Sequence, residues 1–173
     1  MKKAAFLLGL LAAGSGSAHA RENPYAGFDY LVATFATRDA DLEMSAGRLR
    51  VGTELNRYAG IEYQAALGIE DDEAPIVGGS IRTHLKSVTG VYLRGRLPLG
   101  EAAAVYAVAG YSWMWLRVDA AAFGLSDRTH YDHDVSAGVG VEAGLPGRFF
   151  LSAEYMEYVD GLTAVAAGVR LPF

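Results

Sequence analysis

Leu162 to Phe173 reads L-T-A-V-A-A-G-V-R-L-P-F. Counting back in twos from Phe173 gives Leu171, Val169, Ala167, Val165 and Thr163, an almost wholly apolar row. The other row is Pro172, Arg170, Gly168, Ala166, Ala164 and Leu162, small except for one arginine. Side chains alternate across an extended chain, so the two rows line opposite faces of a single strand. The chain ends on a strand with one oily face.

The same period of two divides the rest of the chain into segments. The first, about 27–37, sets Phe28, Tyr30, Val32, Thr34 and Ala36 against Asp29, and 38–43 reads as a polar loop. The second, about 45–55, sets Leu49, Val51, Thr53 and Leu55 against Arg48, Arg50, Gly52 and Glu54, before a tight turn at Asn56-Arg57-Tyr58. The third, about 59–70, opposes Ile61, Tyr63, Ala65, Leu67 and Ile69 to Glu62, Gln64, Gly68 and Glu70, and the acidic, Gly-rich 71–80 reads as a loop. The fourth, about 81–97, has Leu85, Ser87, Thr89, Val91 and Leu93 facing away from His84, Lys86, Gly90, Tyr92, Arg94 and Arg96.

The fifth, about 102–118, carries Val105, Ala107, Ala109, Tyr111, Trp113 and Trp115 on one face, with a second face that is also apolar. A long loop, about 119–130, follows. The sixth, about 131–145, sets Val135, Ala137, Val139, Val141 and Ala143 against Asp134, Ser136, Gly138, Gly140 and Glu142. The seventh, about 148–158, opposes Phe149, Leu151, Ala153 and Tyr155 to Ser152, Glu154 and Met156. With the terminal strand there are eight.

Composition averages hide this pattern. The chain has 51% hydrophobic residues and 21 glycines, and beyond the N-terminus no run of 18 apolar residues that would read as a spanning helix. Strands that face lipid hide their apolar side at every second position, so parity has to be counted instead. Connections after segments two, four and six are short and those after one, three and five longer and polar, as in a barrel with short turns on one side of a membrane and loops on the other.

At the N-terminus, Lys2 and Lys3 precede an apolar run, Ala4 to Ala13, and the small-residue ending Ala18-His19-Ala20. This three-part layout predicts a cleaved secretory signal peptide over 1–20. Its removal from 173 residues leaves 153, residues 21–173, as one domain; loss of the two lysines with no acid takes the net charge from −5 to −7. There is no cysteine, which excludes disulfides and thiolate metal sites. No basic patch points to nucleic acid.

The expected fold is therefore all-β, an eight-stranded antiparallel up-and-down transmembrane β-barrel. Hydrocarbon offers the backbone no hydrogen-bond partner, and only closure removes both sheet edges. A barrel of about eight strands has an interior just wide enough for side chains. The inner rows would hold Asp29, Glu54, Glu62, Glu142 and Glu154 against Arg48, Arg50, Lys86, Arg94, Arg96 and Arg170, five acids to six bases. Buried charges need partners, so these are read as one carboxylate–guanidinium network. A polar plug is preferred over a gated ion path, because eight strands leave little bore. Phe28, Tyr30, Phe149 and Phe173 would form one aromatic girdle and Trp113, Trp115 and Tyr155 the other. A carbohydrate platform at Tyr111, Trp113 and Trp115 is the rarer reading.

The signal peptide, Gly-rich strands such as V-S-A-G-V-G-V-E-A-G at Val135 to Gly144, and the terminal V-R-L-P-F together resemble the OmpA-like, porin-family outer-membrane β-barrel domain, over about 25–173. The resemblance implies a cell outer-membrane location in a Gram-negative envelope and contact with outer-membrane lipids and lipopolysaccharide. It also implies capture by the barrel-assembly machinery through the terminal strand, with Val165, Val169, Leu171 and Phe173 as the signal. The family includes surface-attachment proteins, structural barrels and lipid-modifying enzymes.

The favoured role is non-catalytic, structural or in surface interaction through external loops with a ligand of unknown identity, and no cofactor is expected. A lipid A deacylase or acyltransferase needs serine and histidine within hydrogen-bond reach. His133 and Ser136 stand three apart and so face opposite sides, and no serine lies two residues from His84, His130 or His133. His130, Asp132, His133 and Asp134 are suitable metal ligands by type, but at an external rim they read as solvated, and no metal site is assigned. A soluble lipocalin-like barrel would invert the pattern, apolar inside and charged outside. The faces of Val139, Val169, Arg50 and Arg94 decide between the two.

Overall fold

The computed structural model describes residues 23–36, 41–70, 72–76, 79–100, 102–119, 128–159 and 161–173. The expected signal peptide, residue 37 at the end of the first expected strand, and residues 38–40 and 120–127 of two expected loops lie outside the described residues. Nine strands follow in chain order: β1 (Asn23–Ala36), β2 (Asp41–Asn56), β3 (Ala59–Glu70), β4 (Asp72–Ile76), β5 (Gly79–Leu99), β6 (Ala103–Asp119), β7 (Arg128–Gly144), β8 (Phe150–Val159) and β9 (Leu162–Pro172). Neighbours pair antiparallel in the order β3-β2-β1-β9-β8-β7-β6-β5, and a β3–β5 ladder closes the ring at eight strands. β4 stands outside the ring, pairing with the start of β5 from Asp72↔Thr83 to Ile76↔Gly79. The stretch 71–80, expected as a loop, is thus largely a β-hairpin extending the wall.

The short turns share one rim. At the β2–β3 turn the Asn56 side-chain oxygen accepts the Tyr58 and Ala59 N–H groups at 2.8 and 2.9 Å, an Asx turn that folds the chain locally. Gly100 (φ 79°) follows β5, and Gly147 (φ 90°) with Arg148 (φ 73°) reverses β7 into β8. β9 returns to this rim, where the Phe173 N–H donates to the Pro24 carbonyl at 3.0 Å. β5 has 21 residues and β6 and β7 have 17 each. Crossing a bilayer takes about 9–11 tilted residues, so these strands project beyond it on the opposite, loop-side rim.

Parity decides what faces where. Val139 and Val169 are 60% and 42% exposed on the outer wall, whereas Arg50 and Arg94 are 1% and 3% exposed inside. The soluble, inside-out alternative is excluded: oily residues face outward around the ring, including Leu49, Leu67, Val91, Leu93, Val141 and Val165.

One strand departs from strict alternation. The β5–β6 register shifts between Leu85 and Ser87, which face Leu116 and Trp115 respectively, so Lys86 is the extra residue of a β-bulge. Leu85, expected outside, is buried, and Lys86, expected in the lumen, is exposed. A bulge adds one residue to one strand and so reverses the parity of everything beyond it.

Candidate functional site

The lumen is built from the inward rows and has two halves. In the half nearer the short turns, Asp29 accepts from Arg48 Nε and Arg50 Nη2, both at 2.7 Å. Arg48 Nη1 reaches across the barrel to Glu154 Oε1 at 2.6 Å and donates to Tyr158 Oη and Gln64 Oε1 at 2.9 and 3.1 Å. Arg50 Nη2 also donates to Ser152 Oγ at 2.8 Å. Glu142 is the second centre. It receives Arg94 Nη2 at 2.7 Å, Arg96 Nε at 2.5 Å and Arg170 Nη2 at 3.0 Å. Arg170 Nη1 turns to Glu54 at 2.8 Å, with Arg94 Nη1 3.7 Å from the same carboxylate.

Glu62 joins the two centres. Its carboxylate accepts Tyr25 Oη and Gln64 Nε2, each at 2.7 Å. Gln64 continues to Arg48, and Arg170 stacks over the Tyr25 ring at 4.7 Å. Arg94 lies 4.2 Å over Tyr106, and Arg170 also caps Phe150 at 4.6 Å. Planar guanidinium groups suit this, because they bond in their plane and stack on their faces. With Lys86 outside, the network holds Arg48, Arg50, Arg94, Arg96 and Arg170 against Asp29, Glu54, Glu62, Glu142 and Glu154, five against five and neutral. Arg50 Nε, Arg94 Nε and Tyr106 Oη find no protein partner, which makes this half the part of the lumen suited to bound water.

Inward glycines make room for the rings. Tyr25 faces Gly52, Tyr92 faces Gly110 and Tyr106 faces Gly140 across their ladders. A Cβ on Gly52 would come within 2.6 Å of the Tyr25 hydroxyl.

Above the charges lies a band of hydroxyls. Tyr92 bonds Ser112, Ser136 donates to Ser112 at 2.7 Å, and Ser136 also contacts the Tyr158 carbonyl. Beyond it the lumen turns apolar. Leu31, Ala33, Met44, Ala46, Leu85, Val88, Met114, Leu116, Met156, Leu162 and Ala164 pack into one buried cluster, with Phe35 against it. Only the charged members of the inward rows stood out in the sequence. The apolar half, and Tyr25, Gln64, Tyr92, Tyr106, Ser152 and Tyr158 as partners, did not.

Outside, Phe28, Tyr30, Phe149, Tyr155 and Phe173 are exposed. Trp113 and Trp115 join a chain of rings on β6 and β7: Tyr111–Trp113 at 5.2 Å, Tyr111–His133 at 5.7 Å, Tyr131–His133 at 5.5 Å and Trp115–Tyr131 at 5.2 Å. Tyr155 lies apart from them, opposite Val139 and Val165, in an outer-wall groove shared with Tyr58 and Leu97. Val165, Val169, Leu171 and Phe173 all present themselves on the outer wall of β9 and its end.

His133 Nδ1 bonds the Tyr111 hydroxyl at 2.5 Å. The Asp132 and Asp134 carboxylates accept the N–H of the next residue, at 2.8 and 2.7 Å. Among the described residues no three His, Cys, Asp or Glu side chains are grouped to hold a metal. The side chain of His84 lies outside the described residues.

Comparison with known proteins fits this geometry. No curated protein matches the sequence. Among solved structures, Ail, the attachment invasion locus protein of Yersinia pestis, crystallised with the heparin analogue sucrose octasulfate, is 14% identical with a TM-score of 0.61, over 87% of this chain and 99% of that one. Neisserial surface protein A is 17% identical with a TM-score of 0.61, over 87% and 97%. The N-terminal β-barrel domain of Pseudomonas aeruginosa OprF is 15% identical with a TM-score of 0.57, over 88% and 100%. At these identities the likeness is one of fold. Residues 4–167 match the family described as the outer membrane protein beta-barrel domain, and with its closed ring, lipid-facing wall and charged lumen the chain belongs to that family of bacterial outer-membrane barrels.

Proposed function

We propose that this barrel is non-catalytic and serves the outer membrane as a structural element whose loop-side rim makes surface contacts. The filled lumen carries the reading. An ion entering from either rim would meet a neutral, mutually bonded charge network or a dry apolar layer, and the second offers nothing to replace its hydration shell. Side-chain pairing argues in the same direction: among the described residues Ser112 and Ser136 bond each other and a carbonyl inside the lumen, while His133 bonds Tyr111 on the outer wall. A sulfated sugar bound by Ail supports looking for polyanionic partners at the rim.

On this proposal residues 1–20 are the cleaved signal and 21–173 the working domain. The outward row Val165, Val169, Leu171 and Phe173 is then what the assembly machinery reads, and the aromatic residues of the wall anchor it at the interfaces. Single-channel recording in planar bilayers tests the central point. The expected result is no conductance steps; a reproducible open level would overturn the filled-lumen reading. Mass spectrometry of lipid A from cells with and without the protein should show identical acylation.

A further inference from the structure

β7 outlasts its neighbour on one side only. Its ladder with β8 stops at Ala137↔Glu157, whereas its ladder with β6 runs on to Val118↔Arg128. Among the described residues no strand pairs with the other edge of β7 from Arg128 to Ser136. Two backbone bonds near the short turns show which groups this edge presents. Gly144 N–H donates to Ala102, just before β6, and Leu145 N–H donates to Phe149, just before β8. Backbone groups alternate sides from one residue to the next, and the β6–β7 register is unbroken. The odd-numbered residues of β7 therefore aim their N–H groups toward the β8 side. Val135 and His133 are the first two of them above Ala137, past the point where β8 can receive them.

Neither N–H is left open. Asp134 Oδ1 accepts from Val135 at 2.7 Å, and Asp132 Oδ1 accepts from His133 at 2.8 Å. An exposed strand edge invites another strand, and proteins blunt such edges with charge, proline or a bulge. The opposite margin of the sheet has one of these devices, since β4 carries Pro75, which has no N–H to give. A strand adding to β7 would need the donors that the two carboxylates hold. We propose that Asp132 and Asp134 are edge guards, which close the free edge of β7 to an extended polypeptide. Their spacing of two is what the role requires, because only every second N–H faces out. The inference rests on where β8 ends and on two hydrogen bonds, not on which partner the loop-side rim meets.

The full chain, folded in phosphatidylcholine vesicles, is titrated into a short fluorescein-labelled peptide of alternating threonine and valine while anisotropy is followed. For Asp132→Ala/Asp134→Ala the half-saturation point should fall roughly 30-fold below that of the wild type, the gain from two net backbone hydrogen bonds, with folding verified by heat-modifiable gel mobility. Asp132→Asn/Asp134→Asn keeps an acceptor oxygen at each position without the charge and should bind as weakly as the wild type. The peptide N-methylated at every second residue cannot pair as a strand, and should bind the alanine variant no better than the wild type. Should the double alanine variant not fold, Asp134→Ala alone should tighten binding roughly 5-fold, with faster amide exchange at Val135 and unchanged exchange at His133. Equal binding by the folded alanine variant and the wild type overturns the proposal. Tight binding by the asparagine variant overturns it too, and assigns the closure to charge alone. Undiminished binding of the N-methylated peptide also overturns it, and assigns the signal to adsorption on the wall.

Discussion

The ring of Tyr106 fills the space directly across the β6–β7 ladder from Gly140, so that a Cβ at position 140 would run into its outer carbon and hydroxyl oxygen. The glycine is required by the close approach of an inward ring, which Arg94 in turn covers.

Gly140→Ala should therefore destabilise the barrel by about 1–3 kcal/mol, the usual cost of overfilling a packed interior. Gly47→Ala is the control. On the outer wall of the same barrel its Cβ would meet side chains at 3.5 Å, ordinary contact, and the change should stay within about 0.5 kcal/mol. Urea unfolding of both variants in lipid vesicles measures the difference.

Glu142→Gln leaves Arg94, Arg96 and Arg170 facing a neutral amide. Breaking a buried pair on one side costs about 3–5 kcal/mol, and the lower figure is expected where water reaches the lumen. Glu54→Gln should cost less, about 1 kcal/mol, because that side chain is 19% exposed whereas Glu142 is 1% exposed. An equal loss for the two would mean that burial does not set the strength of the network.

Loosening the charges should not open the barrel, because the apolar half lies in series with them. Glu142→Gln alone is expected to stay silent in planar bilayers. Adding Met44→Ala, Met114→Ala and Met156→Ala, which hollows the apolar cluster, should give the combined variant measurable conductance. Current through Glu142→Gln by itself would show that the charged layer is the sole barrier.

Phe173 is 75% exposed, and its recorded backbone bond is the N–H to Pro24. Phe173→Ala should lower the amount of folded protein recovered from outer membranes several-fold. The same variant refolded in vitro should keep its unfolding midpoint, with a change below about 0.5 kcal/mol. A matching fall in both measurements would make the aromatic end a structural residue and not an address.

Much of this was legible from parity, because a period of two leaves only one way to place Asp29, Arg48, Arg50 and Glu154 on the side away from Phe28, Leu49 and Leu151. What parity could not supply was the identity of inward residues where both rows are apolar. Leu31 and Ala33 share the parity of Asp29, and Met44 and Ala46 that of Arg48, yet nothing in an apolar side chain says whether it meets lipid or the barrel axis. The two apolar faces of 102–118 have the same cause: Val108, Met114 and Leu116 fill the lumen while Tyr111 and Trp113 face out. Lys86 failed for another reason. No residue type marks a bulge in the sequence, and one inserted position flips the remainder of the strand. With Lys86 on the outer wall, five cations stand against the five acids of the network.

An interior whose charges cancel among themselves makes no demand on the segments that cap it. Loops on such a frame can be lengthened, shortened or swapped between relatives without re-tuning anything beneath them, so new surface specificities can be grafted above an unchanged foundation.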